Sequence, residues 1–314
     1  MLFLSRQPMN RALLGIDINS NAICITALTR NRQGFSIQTY ARAPLPIDEP
    51  NPEQIISILQ QTLTNANTRI KSAAIAIDHS AALFKVIEVD ASLTEAEILS
   101  HLKSHISQIF NQSAEELLLD FERLGPSKND PNLVTIRWIA AKKQPVINHI
   151  ANLKKIGLTT VAVDINSYAL QRAAYYCLGK STVTTAATIA TLYINGESIL
   201  FTVSDHQTPI YTLTEHNKSL TQKDTGKNCI LAFITRALQL YYHSESHKPI
   251  DLLALCGHIP DISLMAAIQQ ETHIPSKVVD PFEYLSYKSA EKTSYPACEF
   301  MLSIGLAMPT ARSL

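Results

Sequence analysis

The sequence predicts an α/β protein of two domains, and three observations lead to this prediction. Its 314 residues correspond to about two domains of roughly 150 residues each. Strand-like and helix-like segments alternate along the chain, as they do in α/β folds. The two halves share a plan in which a meander of short strands leads into a helix. Apolar residues make up 46% of the chain, enough to fill two cores.

The first part of the chain combines a strand meander with an amphipathic helix. Asn19 and Ser20 supply a tight turn between the first two strands. Pro52 suits the first turn of a helix, where its missing N–H needs no partner, and apolar residues recur at helical spacing after it. The predicted elements are strands at residues 12–18, 21–28, 35–40 and 72–77, and a helix at residues 52–65.

A small α+β module is predicted at residues 82–155. The block spans about 75 residues and looks like an insertion into the first domain. Gly157 ends its last helix, since glycine readily takes the left-handed conformation at that position. The predicted elements are strands at residues 83–89, 117–123 and 133–141 and helices at residues 92–110 and 145–155.

The rest of the chain returns to the first domain and then builds the second. The predicted strands lie at residues 160–163, 188–194, 198–203, 209–213, 252–256 and 277–279, and the helices at residues 167–177, 227–242 and 262–272. We therefore divide the chain into four ranges. They are residues 1–81 of the first domain, the module at 82–155, the return and connecting helix at 156–185, and the second domain at 186–314.

Charge and cysteine content exclude several classes of protein. The 27 basic residues balance the 27 acidic ones, so the chain lacks the basic excess of a protein that coats nucleic acid. Five cysteines without a CxxC pair argue against a disulfide framework and favour a reducing compartment. The amino-terminal residues 1–11 lack the pattern of a secretory signal. No apolar run approaches the ~18 residues of a membrane span, so we expect no direct membrane insertion.

The turn at residues 15–21, GIDINSN, is the first candidate site. An aspartate that ends a strand before a turn of small polar residues can hold hydrated Mg²⁺, while backbone N–H groups of the turn face a phosphate. The same residues also make an ordinary hairpin turn, and the residues alone favour the hairpin. Both interpretations stay open at this point.

Several segments together resemble the PilM family, actin-like proteins of type IV pilus assembly related to the division protein FtsA. The most specific are LDFERLGPS and VDINSYALQRA, whose spacing to the first hairpin also fits. The resemblance covers about residues 12–174, and it is weaker beyond them. The other matching segments are GIDINSNAICITAL, YARAPLPID, AAIAIDHSAALFKVIEVDASLTEAEI, IRWIAAKKQPVINHIANLKKIGL, AATIATLYINGESILFTV, LLALCGHIPDISLMAAI and MLSIGLAM.

This resemblance implies a two-domain actin-like (ribonuclease H-like) ATPase fold with an inserted module in the first domain. It implies ATP and Mg²⁺ as ligands between the domains. It also implies a partner, the short cytoplasmic N-terminal tail of an inner-membrane PilN-type protein, held in a groove near the module. Other proteins of the pilus alignment complex would be further partners. The chain would then be cytoplasmic and peripheral at the inner membrane through its partner.

The resemblance also assigns nucleotide-binding positions, and several depart from the family pattern. Asn19 stands where glycine is usual and Cys24 where lysine is usual, while Tyr193 replaces an aspartate of the second phosphate loop. His258 replaces the second glycine of an adenosine-side pair, and Asn166 stands at an often acidic position. The candidate cofactor-binding residues are Asp17 (also the candidate Mg²⁺ ligand), Asn19, Ser20, Asn21, Asn195, Gly196 and Gly257.

These departures favour a scaffold over an enzyme. Catalysis by this fold depends on metal and cationic groups that neutralise phosphate charge, and here a carboxylate and a lysine are replaced. No residue stands out as a catalytic base, and Ser20 and Ser80 have no identifiable His/Asp partners in the sequence. The alternatives are an active ATPase or sugar-kinase-like enzyme, and a scaffold of type II secretion or DNA uptake. Trp138 is either a core residue or an anchor of the groove.

Overall fold

Three sheets organise the chain in the computed structural model, which describes residues 12–31, 34–46, 51–110, 113–179, 188–205, 208–245, 247–259, 263–287 and 295–309. Residues 1–11, where we predict no signal, lie outside these ranges. The strands are β1 (Leu13–Ile18), β2 (Ala22–Asn31), β3 (Gly34–Pro44), β4 (Ser72–Ile77), β5 (Ala82–Asp90), β6 (Leu117–Pro126), β7 (Leu133–Lys142), β8 (Thr159–Ile165), β9 (Thr188–Asn195), β10 (Ser198–Asp205), β11 (Thr208–His216), β12 (Leu252–Gly257), β13 (Ser276–Val278) and β14 (Ser286–Tyr287). The α-helices are α1 (Pro52–Asn65), α2 (Glu95–Phe110), α3 (Lys143–Lys155), α4 (Asn166–Gly179), α5 (Lys223–Tyr242), α6 (Ser263–Thr272) and α7 (Met301–Ala307).

The first sheet has six strands in the order β14-β3-β2-β1-β4-β8. Successive side chains of a strand point to opposite faces, so β1 divides its residues between two layers. Leu14 and Ile16 face α1 and α3, where they pack with Leu59 and Val146. Gly15 faces α7 instead, and a Cβ atom there would lie 1.8 Å from a backbone oxygen of that helix, so only glycine fits. Asp17 lies on the same face as Gly15, and this face packs against α7 and the second sheet.

The module forms its own antiparallel sheet in the order β5-β7-β6. Helix α2 covers one face of it, where Ile98 and Leu102 pack with Ile136 and Trp138. Trp138 is fully buried in this small core. Of the two roles left open by the sequence, the structure therefore gives the core role to Trp138.

The second sheet has the order β11-β10-β9-β12-β13. Helices α5 and α6 cover its outer face and form one core with it. Its inner face shares a larger core with α4, α7 and the first sheet. The α/β fold with two large sheets and an inserted module confirms the predicted fold class.

Helix α1 has the bounds that periodicity predicted. Asn51 accepts a hydrogen bond from the N–H of Gln54, whose side chain accepts one from the N–H of Asn51. This reciprocal cap fixes the first turn of the helix, at Pro52.

Helix α7 and strand β14 were not among the predicted elements. Both join the first sheet although they lie within residues 186–314, and the division into four ranges stays a prediction.

No helix in the described part of the chain is long and apolar enough to cross a membrane.

Candidate functional site

Asp17 lies at the end of β1 with its carboxylate turned toward the second sheet. Its Oδ2 accepts a hydrogen bond from the hydroxyl of Tyr193 at 2.8 Å and one from Nδ2 of Asn19 at 3.1 Å. Both Asp17 and Tyr193 are buried. The tyrosine comes from β9, so this hydrogen bond joins the two domains at the centre of their interface.

Burial dominates the acid–base chemistry of this pair. It raises the pKa of Asp17 to about 6, although the hydrogen bonds from Tyr193 and Asn19 lower it, and the charge of Glu299 raises it further. Burial likewise raises the pKa of Tyr193 well above its ordinary value, and the neighbouring Asp17 adds to this shift. Tyr193 therefore keeps its proton and donates a hydrogen bond to the Asp17 carboxylate.

The turn after Asp17 is a hairpin whose polar groups bond one another. Oδ1 of Asn19 accepts hydrogen bonds from the N–H groups of Asn21 and Ala22, both at 3.0 Å. The N–H of Asn19 donates to the carbonyl of Ala22. Of the two interpretations left open by the sequence, the geometry supports the hairpin, because these N–H groups have partners within the turn.

The second turn, at Asn195 and Gly196 between β9 and β10, contacts the first. The Ser20 hydroxyl donates to the carbonyl of Asn195 at 3.3 Å and accepts from the N–H of Glu197 at 3.1 Å. A Cβ atom at Gly196 would lie 2.1 Å from Oγ of Ser20, and the φ of Gly196 is +60°, so any other residue would displace the Ser20 side chain and strain the turn. The structure thus brings together the candidate residues of both turns, which lie far apart in sequence.

Gly257 ends β12 beside the same interface, with φ at +87°. A Cβ atom there would lie 2.1 Å from the carbonyl oxygen of Ile194. The N–H of His258 donates to that same carbonyl at 2.7 Å. Close packing against β9 therefore explains this glycine without any ligand.

Glu299 connects His258 to the first sheet, and no sequence signal pointed to it. Its Oε1 lies 3.1 Å from Nδ1 of His258, and its Oε2 accepts from Nε of Arg42 at 2.5 Å. Burial raises the pKa of Glu299, but the hydrogen bond from His258 and the Arg42 guanidinium outweigh it, and the net pKa lies below its ordinary value. This carboxylate is therefore charged at neutral pH.

The candidate residues do not fit magnesium and a phosphate group in this arrangement. Oδ2 of Asp17 already accepts from Tyr193 and Asn19, and the N–H groups of Asn21, Ala22 and Glu197 have protein partners. Cys24 lies opposite Asp17 in the strand register, and burial raises the pKa of its thiol, so it supplies no cation. Among the described residues, no group of three or more His, Cys, Asp and Glu could hold a metal. The role of these residues as nucleotide ligands stays a prediction, and the geometry argues against it.

Ser80 has partners that the sequence did not reveal, which corrects one expectation. Its hydroxyl lies 2.6 Å from Oδ1 of Asp78 and 3.3 Å from Nε2 of His216. The carboxylate contacts the serine rather than the histidine, and it also caps the short 3-10 turn His79–Ala81. Because no acid among the described residues is seen to orient His216, this is not the arrangement of a nucleophilic serine.

A stack of aromatic side chains joins the module to the first domain, and sequence reasoning missed it. The ring of His79 stacks on Phe84 of β5 with centroids 4.3 Å apart, and Phe84 faces Tyr168 of α4 at 6.1 Å. Nη1 of Arg137 donates to the hydroxyl of Tyr168 at 3.0 Å. Burial lowers the pKa of His79 to about 4, so its ring is neutral near pH 7. These contacts fix where the module sits on the first sheet.

The module sheet turns its second face away from α2. Alternation along β7 places Arg137 and Ile139 on this face, since Ile136 and Trp138 point into the core. Its most exposed apolar side chain is Val86, at 53%. We call this surface the open module face, and its members by strand register are Phe84, Val86, Asp120, Glu122, Arg137 and Ile139. Phe84 and Arg137 contact Tyr168 of the first domain, so the exposed part of this face lies around Val86 and Glu122.

Two mixed α/β domains facing each other, with a module inserted in the first, define an actin-like protein. A family model described as "Type IV pilus assembly protein PilM" matches residues 15–221 and 227–311. The chain belongs to this PilM family, which confirms the resemblance seen in the sequence.

Comparison with solved structures agrees on the fold. The "PilM-PilN type IV pilus biogenesis complex" contains a chain with a TM-score of 0.77 and 17% identity, covering 95% of this chain and 98% of that one. Ethanolamine utilization protein EutJ from Carboxydothermus hydrogenoformans has a TM-score of 0.52 and 9% identity, covering 97% and 91%. The cytoplasmic domain of EpsL, from the Vibrio cholerae type II secretion system, has a TM-score of 0.50 and 10% identity, covering 96% and 98%.

Proposed function

We propose that this chain is a scaffold of type IV pilus assembly that holds the cytoplasmic tail of a PilN-type inner-membrane protein and does not hydrolyse ATP. Membership of the PilM family supports the role in pilus assembly. The similarity to a protein solved in a PilM–PilN complex supports the type of partner. Such a tail would place the chain in the cytoplasm, at the inner membrane through its partner.

The hydrogen bond between Tyr193 and Asp17 is the observation that carries the choice of a scaffold over an ATPase. Phosphoryl transfer requires metal and positioned donors around the phosphates. In this chain one oxygen of the central carboxylate accepts from a tyrosine, and the N–H groups of Asn21 and Glu197 in the neighbouring turns donate to side chains of the protein itself. A scaffold needs none of these groups for chemistry.

The open module face is the surface that we assign to the partner's tail. It presents the exposed Val86 beside the charged Glu122 and Arg137, which lie in one row across the three strands. A short tail binds such a surface through apolar side chains, while polar groups at the rim set its direction. The aromatic stack at His79 holds this face in a fixed position, so the tail meets a preformed surface.

The test is calorimetric titration of the chain with a synthetic peptide of the PilN-type tail, beside an assay of ATP turnover. We expect saturable peptide binding and no magnesium-dependent turnover. Val86→Glu should weaken peptide binding by about tenfold or more, since it puts a charge where the apolar side chains of the bound tail would pack. Leu240→Glu is the matched control, because Leu240 is 48% exposed on α5 of the second domain.

The outcomes separate the parts of the proposal. Absence of peptide binding, or magnesium-dependent turnover of ATP, would contradict the scaffold function. Binding that neither substitution changes would move the tail to another surface.

A further inference from the structure

We infer that side chains of the protein permanently close the cleft between the two domains, so that this chain binds its partner without nucleotide. The inference rests on the proposed function only in its mention of a partner. Closure itself follows from bridges between the two domains, which occur at four neighbouring positions across the first sheet.

The central bridge is the hydrogen bond from Tyr193 to Asp17. Tyr193 is 2% exposed and packs in the core shared by both sheets, beside Cys24 and Cys256. Both hydrogen bonds to Asp17 end on Oδ2, so a ligand could bind this oxygen only after the Tyr193 side chain had moved out of the core. Removing a large aromatic ring from a core has a high free-energy cost, which opposes any such opening.

The second bridge is Ser20, which donates to one residue of the second turn and accepts from another. A hydroxyl that donates to Asn195 and accepts from Glu197 fixes the two turns in register. Gly196 leaves room for the Ser20 and Asn21 side chains at this contact. The space in which two opposed turns could hold a phosphate between them is therefore occupied by their own contact.

The third bridge runs from His258 through Glu299 to Arg42. Asp17, Cys24 and Arg42 lie opposite one another in the register of β1, β2 and β3, so this bridge belongs to the same row of the first sheet as the central one. Ser80 and His216 add a contact on the other side, after β4. In strand order, bridges thus occur at β3, at the β1–β2 turn, at β1 and beyond β4.

The charge along this row also disfavours a polyphosphate. Asp17 and Glu299 are acidic, and the Arg42 guanidinium is already paired with Glu299. Phosphates brought among these carboxylates would meet like charges at short range in a buried site, where repulsion is strong. Without phosphate, Asp17 in this row accepts a hydrogen bond from Tyr193, and Glu299 is paired with Arg42.

The experiment compares nucleotide and peptide binding on the full chain. Calorimetry and thermal unfolding with millimolar Mg²⁺-ATP and Mg²⁺-ADP should give no binding heat and no rise in unfolding temperature. The affinity for the PilN-type peptide should change by less than about twofold when either nucleotide is added, because a ligand that binds neither state shifts nothing.

Two variants test the bridges directly by amide hydrogen exchange. Tyr193→Phe removes the tyrosine hydroxyl and keeps the ring, and Ser20→Ala removes the serine hydroxyl. In the wild type, the N–H groups of Glu197 and His258 should exchange slowly, since both donate across or beside the closed interface. Each variant should speed exchange at these two amides at least several-fold. If Tyr193→Phe does not fold, Ser20→Ala, on an exposed turn, carries the test.

Saturable Mg²⁺-ATP binding by the wild type would overturn the inference, as would a nucleotide-dependent change in peptide affinity of about tenfold or more. Fast exchange of both amides in the wild type would do the same. Failure of the peptide to bind would instead contradict the proposed function and leave closure intact, since the nucleotide and exchange measurements need no partner.

Discussion

The interface between the two domains and the open module face use polar and apolar groups in opposite ways. At the interface, Asp17, Tyr193 and Glu299 are buried. They form hydrogen bonds and ion pairs that join the two domains. On the open module face, Val86 is exposed to solvent beside charged neighbours. The first region is complete in the isolated chain, whereas the second leaves an apolar side chain in water that a partner could cover.

This difference separates two regions by what substitutions in them should change. Asp17, Tyr193 and Glu299 are bonded within the protein, so substitutions at the interface should act on stability. Substitutions at the exposed Val86 of the open module face should leave stability almost unchanged. Four predictions test this contrast, from the largest expected change in the free energy of unfolding to the smallest.

Gly257→Ala should lower the free energy of unfolding by about 4 kcal/mol, because it combines overpacking with a disfavoured backbone conformation. The added Cβ would lie 2.1 Å from the carbonyl oxygen of Ile194, at a φ of +87°. Denaturant unfolding measures the loss. Gly157→Ala is the control, since Gly157 has a φ of +76° and no atom within 4 Å of an added Cβ, and it should lose about 1–2 kcal/mol. Equal losses would mean that the interface can relax around the methyl group.

Glu299→Gln should lower the free energy of unfolding by about 3 kcal/mol at neutral pH, because it leaves the buried Arg42 without its counter-ion. The pKa of Glu299 is held below its ordinary value, so the pair stabilises the fold above the unfolded pKa and loses this effect as the pH falls. The difference between wild type and variant should therefore shrink in acid. Glu283→Gln, at an exposed ion pair of 3.7 Å, should change stability by no more than about 0.5 kcal/mol.

The free energy of unfolding of Asp17→Asn should increase relative to that of the wild type as the pH rises. The pKa of Asp17 is about 6 in the folded chain and 3.8 as its ordinary value, so the folded state holds a proton that the unfolded state has lost between those limits. The contribution of Asp17 to the free energy of unfolding is fully present below about pH 4 and is lost as the pH rises through about 6. Between pH 4 and 7 the variant should gain about 2–3 kcal/mol relative to wild type in denaturant unfolding. A constant difference would mean that Asp17 titrates normally.

Val86→Ala should change the free energy of unfolding by less than about 0.5 kcal/mol, since the side chain is largely in water already. Val89→Ala is the matched substitution on the same strand. Val89 is 5% exposed in the module core, and its truncation should cost about 2 kcal/mol. A large loss at Val86 would show that the open module face is packed against the protein itself, and the contrast would then disappear.

Most of the fold could be predicted because its helices with one solvated face show periodicity, while strands buried on both faces, such as β9 and β10, read as short apolar runs. Helix α1 alternates buried and solvated sides, and its bounds followed from periodicity and Pro52. Helix α7 has all seven residues buried, so the segment MLSIGLA carries no periodic signal that distinguishes helix from strand. Strand β14 has two residues, too few for any pattern.

The candidate site was predictable in part, for a physical reason. The turn from Asp17 to Asn21 is local, so its residues were expected together. Its partner Tyr193 is 176 residues away, and the direction of its hydroxyl depends on how two sheets pack. Tyr193 was recognised as a departure from the family pattern, but not as the group that occupies Asp17. No sequence pattern marks Glu299, because its role depends on single contacts to His258 and Arg42 that form only in the folded chain.

The position of α7 has a consequence for how the chain is made. The first sheet begins at Leu13, yet the helix that covers Gly15 spans Met301–Ala307, the last described element. Ribosomes add about 5–20 residues per second, so the strands translated first wait for tens of seconds before their covering helix exists. During this interval the face of the sheet that carries Gly15, Cys24 and Leu28 lacks its covering helix, and nascent chains of this design should depend on chaperones until α7 has been made.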